Sequence, residues 1–497
     1  MMSQPLSHPL RLADLFDGIG TPRGGNPVIS GVAMDSRAVR PGDLFLACRG
    51  IGSHGLAFAA DAIDRGAAAI AWEPDGFEAV NLPLPTVRVG ALARRAGEIA
   101  ARFYAHPSEH LAVVGITGTN GKTSIAHYLA QSFDRPGERA AIIGTLGAGL
   151  YGEAEQSAHT TPDAVTNQRL LAGFLAQGAR RVAMEVSSHA LDQARVGGIR
   201  FTTAVFTNLS HDHLDYHGSL DAYAEAKRKL FAWSGLEAAV VNADDAVGRE
   251  ILATLPQGVR GVACSLRGAS AGVASVWASD IRHGRRGMDF VLHTPWGDAV
   301  VESALVARFN VANMLATAAV LLLDGRPLDE VVAALGALRP VTGRMESFGG
   351  DDRPLAVVDY AHTPEALRQA LEAVRPHAEH RVICVFGCGG DRDAAKRPVM
   401  GRIAETLADI VIVTSDNPRG ERPERIADEI LAGLVQPDLV PVVLDRRAAI
   451  EAALDLADPG DVVLIAGKGH EAYQIIGQQR FPFSDREVVQ QWLEARP

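Results

Sequence analysis

A short glycine-rich loop with a lysine is the first feature of the sequence that could do chemistry. The stretch Val113 to Ser124 is VVGITGTNGKTS. A Walker A loop, G-x-x-x-x-G-K-[ST], would place its first glycine where this chain has Ile116. An apolar strand, a loop of small residues and a helix still meet the needs of a phosphate site, because loop N–H groups and a helix N-terminus attract anions. The alternative, a plain turn before a helix, does not explain the Lys-Thr pair, so we predict a nucleotide-phosphate loop.

Oxygen-bearing side chains near this loop indicate a divalent cation. Lys122 can reach the β- and γ-phosphates of a nucleotide, and the Thr123 hydroxyl can face Mg²⁺. Glu185 ends the strand-like run RVAMEVSS and supplies the hard oxygen that Mg²⁺ prefers. The histidines of HDHLDYH, at 211, 213 and 217, suggest zinc, but no cysteine is near and the loop already implies magnesium. His213 remains a candidate for binding a metal or orienting its ligands.

One lysine lies on an otherwise apolar helical stripe. In DAYAEAKRKLF, Lys227 falls between Tyr223 and Phe231, whereas Glu225 and Lys229 face away. Such a lysine can simply extend its ammonium to water. If it is instead buried near a metal, desolvation lowers its pKa and favours the neutral amine, which can add CO₂ and become a carbamate anion. Both interpretations stay open from the sequence.

Length, composition and charge limit the class of protein. A chain of 497 residues is long enough for about three domains, and 47% hydrophobic with 6% aromatic residues favours α/β layers. The net charge of −11 argues against general binding of nucleic acid. The four cysteines, at 48, 264, 384 and 388, are sparse, and at their one close pair, the C-x-x-x-C of residues 384 and 388, buried thiols are predicted rather than zinc ligands or a disulfide.

The apolar runs are too short for a membrane protein. None approaches the roughly 20 residues that span a bilayer, and the N-terminal stretch MMSQPLSHPLRLADLF lacks a signal peptide's basic and apolar regions. We therefore predict a cytoplasmic enzyme without membrane insertion.

Turn signals divide the chain into three predicted α/β domains: residues 1–108, 109–339 and 340–497. The first has short strand-like runs and ends in the helix-like ALARRAGEIAARFYAHPSEH. In the second and third, β-rich runs alternate with helices, which is typical of parallel, doubly wound sheets. The predicted strands of the third domain are LAVVDYA, RVICVFG, DIVIVTS, VPVVLD and DVVLIAG.

Polar motifs follow most of these predicted strands. They are TGTNGKT, EVSSHAL, TNLSHDHLDYHG, DYAHTP, GCGGDRD, SDNPRG and GKGHEAYQ. Open parallel sheets bind ligands beyond the carboxyl ends of their strands. The sequence therefore predicts an active site between the second and third domains.

In this order, and together with MDSRAVRPGDLF, RFNVANMLA and GRME, the motifs resemble those of the Mur ligases over nearly the whole chain. The resemblance implies a small N-terminal α/β domain that binds UDP, a central P-loop-like doubly wound ATPase domain and a C-terminal Rossmann-like domain. It implies a ligase of peptidoglycan precursor synthesis that adds meso-diaminopimelate to the D-glutamate γ-carboxylate of UDP-N-acetylmuramoyl-L-Ala-D-Glu. ATP would activate that carboxylate as an acyl phosphate with Mg²⁺, and the enzyme is expected to be a monomer.

The resemblance also assigns roles to individual residues. ATP would contact Gly118, Thr119, Asn120, Gly121, Lys122, Thr123, Ser124, Asn310, Arg344 and Asp359. The UDP-muramoyl peptide would contact Met34, Ser36, Thr160, Thr161, Ser187, Gln193 and Arg195. The metal would be held by Thr123, Glu185, His213 and Lys227 as its CO₂-derived carbamate, and the catalytic residues would be Lys122, Lys227 and His213.

The choice of amino acid depends on an arginine. Diaminopimelate has a distal carboxylate that lysine lacks, and a planar guanidinium can bind it through two parallel charge-assisted hydrogen bonds. The motif DNPR supplies this group as Arg419, although an exposed surface arginine is the ordinary alternative for that residue alone. By resemblance, Glu471 pairs with the ammonium, and the pocket comprises Arg392, Asp416, Asn417, Pro418, Arg419, Gly467 and Glu471.

Other functions remain as alternatives. A lysine-adding ligase and a folylpolyglutamate-type ligase share the ATPase plan, but DSR near the front and DNPR disfavour both. The glycines of FGCGGDRD suggest a nicotinamide dehydrogenase, although an acidic residue at the required distance is missing. A phosphate-loop module that hydrolyses ATP without ligation is the remaining alternative.

Overall fold

The computed structural model describes residues 10–50, 52–74, 81–157, 159–210, 212–284 and 287–496. His211 of HDHLDYH lies outside the described residues. The chain forms two compact units. The first extends to Ser265 and includes Ala269–Ser275 and Ala319–Asp324, and the second contains Leu266–Gly268, Val276–Ala318 and the chain from Gly325 onward.

A small α/β layer opens the first unit. Its strands are β1 (Leu10–Arg11), β2 (Pro22–Arg23), β3 (Val28–Ile29), β4 (Gly31–Ala33), β5 (Asp43–Ala47), β6 (Ala69–Trp72) and β7 (Thr86–Arg88), and its helices are α1 (Leu12–Leu15), α2 (Ala59–Asp64) and α3 (Leu92–Phe103). The main sheet has the order β2-β7-β6-β5-β4 and is parallel from β4 to β7. Every residue of β5 is buried, as expected for a parallel strand covered on both faces.

A larger sheet follows in the same unit. Its strands are β8 (Ala112–Thr117), β9 (Arg139–Gly144), β10 (Gly147–Leu150), β11 (Ala179–Glu185), β12 (Thr203–Phe206), β13 (Ala238–Asn242) and β14 (Arg260–Ser265). Its helices are α4 (Lys122–Phe133), α5 (Ala164–Ala176), α6 (Ser188–Asp192), α7 (Leu214–His217), α8 (Leu220–Arg228) and α9 (Ala246–Ala253).

The strand order of this sheet places the loop after β8 at a switch point. Among the strands β8 to β14, the order is β10-β9-β11-β8-β12-β13-β14, and β10 is the one of these seven that runs antiparallel to its neighbour. The chain moves from β8 to one side of the sheet and later returns to its other side at β12. Ligands of doubly wound sheets bind where the order reverses in this way, at the carboxyl ends of the strands.

Two glycines let the small layer pack closely against the larger one. A Cβ atom on Gly97 of α3 would lie 2.1 Å from the carbonyl oxygen of Gly197. The predicted linker at His106-Pro107-Ser108 is also packed: Pro107 and Ser108 are buried, and the Ser108 hydroxyl accepts a hydrogen bond from the Arg200 N–H at 2.9 Å. The two layers therefore belong to one folded unit.

Beyond Ser265 the chain adds an antiparallel group and a second doubly wound sheet. The strands are β15 (Ala274–Gly284), β16 (Gly287–Thr294), β17 (Gly297–Ser303), β18 (Glu346–Gly349), β19 (Leu355–Asp359), β20 (Val382–Phe386), β21 (Ile410–Val413), β22 (Val462–Ala466), β23 (Tyr473–Ile476) and β24 (Gln479–Pro482). The helices are α10 (Arg308–Leu323), α11 (Leu328–Gly336), α12 (Pro364–Val374), α13 (Lys396–Leu407), α14 (Pro423–Leu431), α15 (Arg446–Leu456) and α16 (Asp485–Glu494).

In the second unit, the carboxyl ends of the parallel strands also lie at one edge of the sheet. The sheet order is β18-β19-β22-β20-β21, with parallel pairing from β19 to β21. The loops after β19, β20, β21 and β22 therefore emerge at one edge. These are the loops that carry DYAHTP, GCGGDRD, SDNPRG and GKGHEAYQ.

One predicted strand is wrong. The run VPVVLD makes only an isolated bridge, Val413 to Val442, rather than a strand. Pro441 has no N–H to donate to a ladder, and Val442 is 40% exposed, so this segment lies at the margin of the sheet and is not a core strand. In the described part of the chain, no helix is long and apolar enough to cross a membrane.

Candidate active site

The glycine-rich loop joins β8 to α4 with the backbone of a phosphate cradle. Gly118 has φ 144° and Gly121 has φ 87°, conformations that favour glycine. A Cβ atom on Gly118 would lie 1.8 Å from Thr207 Oγ1, so the loop also needs glycine to approach β12. The Asn120 N–H donates to Asn208 Oδ1 at 3.0 Å, which fixes the loop tip. The shifted glycine of the sequence therefore occupies a position that only glycine fits.

Two lysines point their ammonium groups at the same carbonyl of this loop. Lys122 Nζ donates to the carbonyl oxygens of Gly118 at 2.8 Å and Thr119 at 2.9 Å. Lys227 Nζ donates to the Gly118 oxygen at 2.9 Å. The structure thus brings together Lys122 of α4 and Lys227 of α8, which are far apart in sequence.

Lys227 is buried, as the interpretation as a neutral amine requires. It is 1% exposed, and its Nζ lies 4.2 Å from the centre of the Tyr223 ring. Burial, and secondarily the Lys122 ammonium, lowers the pKa of Lys227 to about 6. Tyr223 and Phe231 are buried as predicted, and Glu225 is exposed. Because its ammonium ends inside the protein, the alternative in which Lys227 extends to water is wrong.

A fully buried carboxylate lies beside the start of α4. Glu185 is 0% exposed, and its Oε2 accepts hydrogen bonds from the hydroxyls of Thr123 at 3.0 Å and Thr145 at 3.2 Å. Its Oε1 accepts the Thr145 N–H at 2.8 Å, and the Thr145 hydroxyl also contacts the Thr160 hydroxyl at 3.1 Å. The site therefore presents hard oxygen donors next to the phosphate loop.

The described contacts of His213 are with Asp212, His189 and Tyr223 rather than with Glu185. It precedes α7 with φ 53°, and its Nε2 lies 3.5 Å from Asp212 Oδ2. Its ring centre lies 4.9 Å from that of His189 and 6.0 Å from that of Tyr223. Among the described residues, which omit His211, no group of three or more His, Cys, Asp or Glu side chains could hold a metal ion.

The residues predicted to hold the peptide arm form one hydrogen-bonded network. The Thr161 hydroxyl donates to the Glu185 carbonyl at 2.8 Å and accepts the Ser187 N–H at 3.1 Å. Arg195 Nη2 donates to Gln193 Oε1 at 2.6 Å, and its Nη1 donates to the Thr161 carbonyl at 3.3 Å. The network connects the segment after β11 to the segment before α5.

The predicted uridine contacts lie in the small layer of the first unit. Met34 and Ser36 follow β4, and Ser36 is 5% exposed. Asp35, between them, accepts hydrogen bonds from the backbone N–H and side chain of Arg37, which hold the pKa of the Asp35 carboxyl below its usual range. The MDSR motif is thus a rigid turn.

In the second unit, the segment around GRME contacts the end of β19. The Met345 N–H donates to Asp359 Oδ2 at 2.8 Å, and the Arg344 guanidinium lies 5.1 Å from the centre of the Tyr360 ring. Burial raises the pKa of Asp359, and the Arg344 charge partly opposes this effect. Asn310, also predicted to contact ATP, is 2% exposed in α10, where its Nδ2 donates to the Val306 carbonyl at 2.8 Å.

The loops after β20, β21 and β22 bring the DNPR residues next to the glycine-rich segments. Arg419 Nη1 donates to the Gly390 carbonyl at 2.9 Å. A Cβ atom on Gly389 would lie 2.9 Å from Arg419 Nη1 and 3.9 Å from Arg392 Cγ, so both arginines flank that glycine. Arg392 is exposed, and its Nη1 donates to the Asp391 carbonyl.

The same edge of the sheet holds the predicted ammonium partner. Asn417 Nδ2 donates to Glu471 Oε2 at 2.8 Å. A Cβ atom on Gly467, which has φ 121°, would lie 2.6 Å from Asp416 Oδ2. Pro418 is buried in the same loop. The predicted diaminopimelate residues therefore converge within the second unit.

Sequence reasoning missed several residues that hold these groups in place. Lys468 is 0% exposed and contacts both Asn417 and Glu471. Arg446 forms a fully buried ion pair with Asp485 at 2.7 Å and donates to the Ala466 carbonyl. Lys468 lies between two glycines in a strand-end motif, a signal that could have identified it. Arg446 lies inside a helix and carries no comparable signal.

Three family models match the chain in order. They are described as the Mur ligase family catalytic domain at residues 28–104, the Mur ligase middle domain at 116–321 and the Mur ligase glutamate ligase domain at 343–469. The chain belongs to the Mur ligase family. The predicted family, its three-domain α/β fold class and its ligase activity are thereby confirmed.

Individual relatives carry the name UDP-N-acetylmuramoyl-L-alanyl-D-glutamate–2,6-diaminopimelate ligase. That of Chromobacterium violaceum is 50% identical over 94% of each chain, and that of Pseudomonas aeruginosa is 50% identical over 94% of this chain and 96% of its own. A solved structure with this name has a TM-score of 0.76 at 35% identity, covering 98% of this chain and 99% of the other. A diaminopimelate-peptide–D-alanyl-D-alanyl ligase of Acinetobacter baumannii, at 18% identity and a TM-score of 0.64, shares the fold.

Proposed function

We propose that this protein is an ATP-dependent ligase that joins meso-diaminopimelate to the D-glutamate γ-carboxylate of UDP-N-acetylmuramoyl-L-Ala-D-Glu. The observation that carries the proposal is the 50% identity, over 94% of both chains, to a ligase named for these substrates. The geometry supports it, because the phosphate loop and the convergent arginine and carboxylate groups fit the reactants.

The first unit supplies the groups for phosphoryl transfer. The γ-carboxylate attacks the γ-phosphorus of ATP, ADP leaves, and an acyl phosphate remains. The loop and the N-terminus of α4 surround the phosphates, while the N–H groups of Thr119 and Asn120 stay bonded to Asn208 and fix the loop. Lys122 neutralises charge that develops on the transferred group. Lys122 must first leave the carbonyl oxygens of Gly118 and Thr119, which it contacts at 2.8 and 2.9 Å. The protein therefore contributes positioning and charge compensation rather than a nucleophile.

The donor set in the first unit fits Mg²⁺. Thr123 and Glu185 provide adjacent oxygens, and Mg²⁺ in nucleotide sites uses one or two carboxylates with water and phosphate oxygens. We assign these two residues, with His213, to its binding or orientation. When bound, the ion supplies Lewis-acid neutralisation of the phosphate oxygens.

Lys227 fits a carbamate for reasons of charge and space. Its amine is buried within reach of the phosphate loop and next to a second lysine. The neutral amine adds CO₂ at its nitrogen, forming an N–C bond, and loses one proton, so that an uncharged group beside the Lys122 ammonium becomes a carbamate anion. We propose that this anion completes the metal-binding set with Glu185.

The second unit supplies the site for the incoming amino acid. Its amine attacks the acyl carbon, and phosphate leaves from the tetrahedral intermediate. Arg419 binds the distal carboxylate, and Glu471 pairs with the distal ammonium. Arg419 Nη1 is committed to the Gly390 carbonyl, but its Nε and Nη2 have no hydrogen-bond partner among the described residues. Two donors therefore remain for the substrate carboxylate.

The remaining predicted substrate contacts are also divided between the first and the second unit. In the first unit, we assign Met34 and Ser36 to the uridine nucleotide. The network of Thr161, Ser187 and Arg195 is assigned, with Thr160 and Gln193, to the muramoyl peptide. In the second unit, Asn310, Arg344 and Asp359 are assigned to ATP.

Product mass tests the proposal directly. The chain is incubated with ATP, Mg²⁺ and UDP-N-acetylmuramoyl-L-Ala-D-Glu, and then with either meso-diaminopimelate or L-lysine. We expect a tripeptide product and stoichiometric ADP only with diaminopimelate. Equal or greater product with lysine would assign the chain to the lysine-adding enzymes. ADP release without any amine-dependent product would identify an ATPase that does not ligate.

A further inference from the structure

A buried lysine that the proposed reaction does not use lies behind the amino-acid site. Lys468 is 0% exposed in the loop between β22 and β23, with Gly467 on one side and Gly469 on the other. Both glycines have positive φ, 121° and 51°. The backbone is therefore turned so that a long cationic side chain enters the protein instead of the solvent.

All contacts of this ammonium are with protein groups. Lys468 Nζ donates to Glu471 Oε2 at 3.0 Å and to Asn417 Oδ1 at 3.1 Å, and it lies 5.5 Å from the centre of the Tyr473 ring. A buried charge is retained only when it is paired and hydrogen-bonded, and these partners meet that condition. The ammonium of Lys468 is therefore enclosed by these protein groups and is 0% exposed.

The contacts of Lys468 determine which oxygen of Glu471 remains available. Oε2 accepts both Lys468 Nζ and Asn417 Nδ2, whereas Oε1 has no hydrogen-bond partner among the described residues. The Glu471 side chain is 15% exposed, so this second oxygen is at the edge of the site. The Oδ1 of Asn417 is filled in turn, because it accepts Lys468 Nζ and the Ile475 N–H at 2.9 Å, and one of the two Nδ2 hydrogens is donated to Glu471.

We propose that Lys468 is a positioning residue for amino-acid specificity: with Asn417 it holds one oxygen of Glu471 and directs the other to the substrate's ammonium. This inference rests on the proposed function. It also gives Asn417 a second role, because its side chain orients Glu471 through one Nδ2 hydrogen. Without Lys468, Glu471 can rotate and its ammonium site is lost.

Lys468→Met tests the role while preserving most of the side chain's volume. We expect the KM for meso-diaminopimelate to rise at least tenfold, with the KM values for ATP and the UDP-dipeptide within twofold of wild type. Arg381→Met is the matched control, because Arg381 pairs with buried Asp461 before β20 and β22, at the opposite edge of the same sheet. It removes a cation from a carboxylate pair and should leave the KM for diaminopimelate unchanged.

A double-mutant cycle separates positioning from general support of the fold. If Lys468 acts through Glu471, Lys468→Met should add little to the loss of kcat/KM for diaminopimelate caused by Glu471→Gln. Additive losses, or a folded Lys468→Met with a normal KM, overturn the inference while leaving the proposed function intact. If the Met variant does not fold, Lys468→Gln is measured against the same criteria. No ligation product with the wild-type chain overturns the proposed function and this inference with it.

Discussion

At the scale of single residues, the phosphate loop and the amino-acid site use cations in opposite ways. Lys122 is half-buried at the start of α4 and donates to two backbone oxygens, whereas Lys468 is fully buried and donates to the Glu471 carboxylate. A lysine in the first position can transfer its bonds to a ligand. A lysine in the second can only orient its neighbours. Burial and partner type, rather than residue type, decide the role.

Arg419→Lys is expected to raise the KM for meso-diaminopimelate by about 10- to 100-fold, because the two free donors of the guanidinium are replaced by one point charge. The KM for ATP should change little. Steady-state kinetics with each substrate varied in turn measure both. Arg422→Lys is the control, since Arg422 is 84% exposed three residues away. An unchanged KM for the amino acid would reject the assignment of Arg419.

Lys227→Ala is expected to reduce kcat by at least 100-fold, because the buried position then lacks the amine that the proposed carbamate requires. Short carboxylic acids such as formate or acetate should restore part of the activity by supplying an anion in the vacated space. Lys229→Ala is the control, because Lys229 is 43% exposed and pairs with Asp192. Wild-type turnover in Lys227→Ala would restrict this lysine to packing.

Sequence patterns identify the residues proposed to contact ligands more readily than the residues that support them. TGTNGKT, DNPR and the Lys227 stripe combine unusual residue types with spacing, and these signals lead directly to Lys122, Arg419 and Lys227. Thr145 and Arg446 act through contacts across long stretches of chain, Thr145 with Glu185 and Arg446 with Asp485. Such pairings depend on tertiary packing, which residue spacing does not encode.

At the scale of elements, helix α3 approaches residue 197 so closely that position 97 requires glycine. Gly97→Ala should improve helix propensity by roughly 1 kcal/mol, but its Cβ would lie 2.1 Å from the Gly197 carbonyl oxygen. We expect the clash to prevail and the Tm to fall by several degrees. Differential scanning calorimetry measures this change.

Gly173→Ala in α5 is the matched control for that experiment. Its Cβ would meet only Gln177 Nε2, at 3.9 Å, so the same substitution has room there and should raise the Tm slightly. Equal effects at the two positions would show that close packing at Gly97 is not limiting.

Strands buried on both faces were predictable, because continuous Val, Ile and Ala runs have few other solutions. The runs that became β8, β11, β20 and β22 were identified in this way. The antiparallel strands β15, β16 and β17 were not, since they mix polar and apolar residues; β15 alternates in burial over much of its length. VPVVLD shows the opposite error, because its composition suits a strand but its proline and exposure do not.

At the scale of the whole molecule, acid sensitivity follows from buried imidazoles. Burial lowers the pKa of His127 in α4 from 6.5 to about 4. Below pH 6.5 the unfolded chain binds more protons than the folded one, so the free energy of unfolding falls as the pH drops towards 4. At pH 5 this residue alone should reduce that free energy by about 2 kcal/mol relative to pH 7.5.

Urea unfolding between pH 5 and pH 7.5 measures this dependence. His127→Gln should flatten the pH dependence, whereas His110→Gln, at an exposed position, should leave it as in the wild type. A slope that is the same in His127→Gln and the wild type would mean that other groups cause the acid sensitivity.

The carbonyl oxygen of Gly118 is shared by two lysine side chains. Because Lys122 and Lys227 both donate to it, one backbone oxygen holds two amino groups close together, and the Lys122 charge contributes to the lowered pKa of Lys227. A nucleotide must displace Lys122 to enter, and that departure leaves the carbonyl to Lys227 alone. Binding of a nucleotide phosphate beside Lys122 therefore changes the charge around Lys227, and we expect nucleotide binding and the proposed carboxylation of Lys227 to be linked.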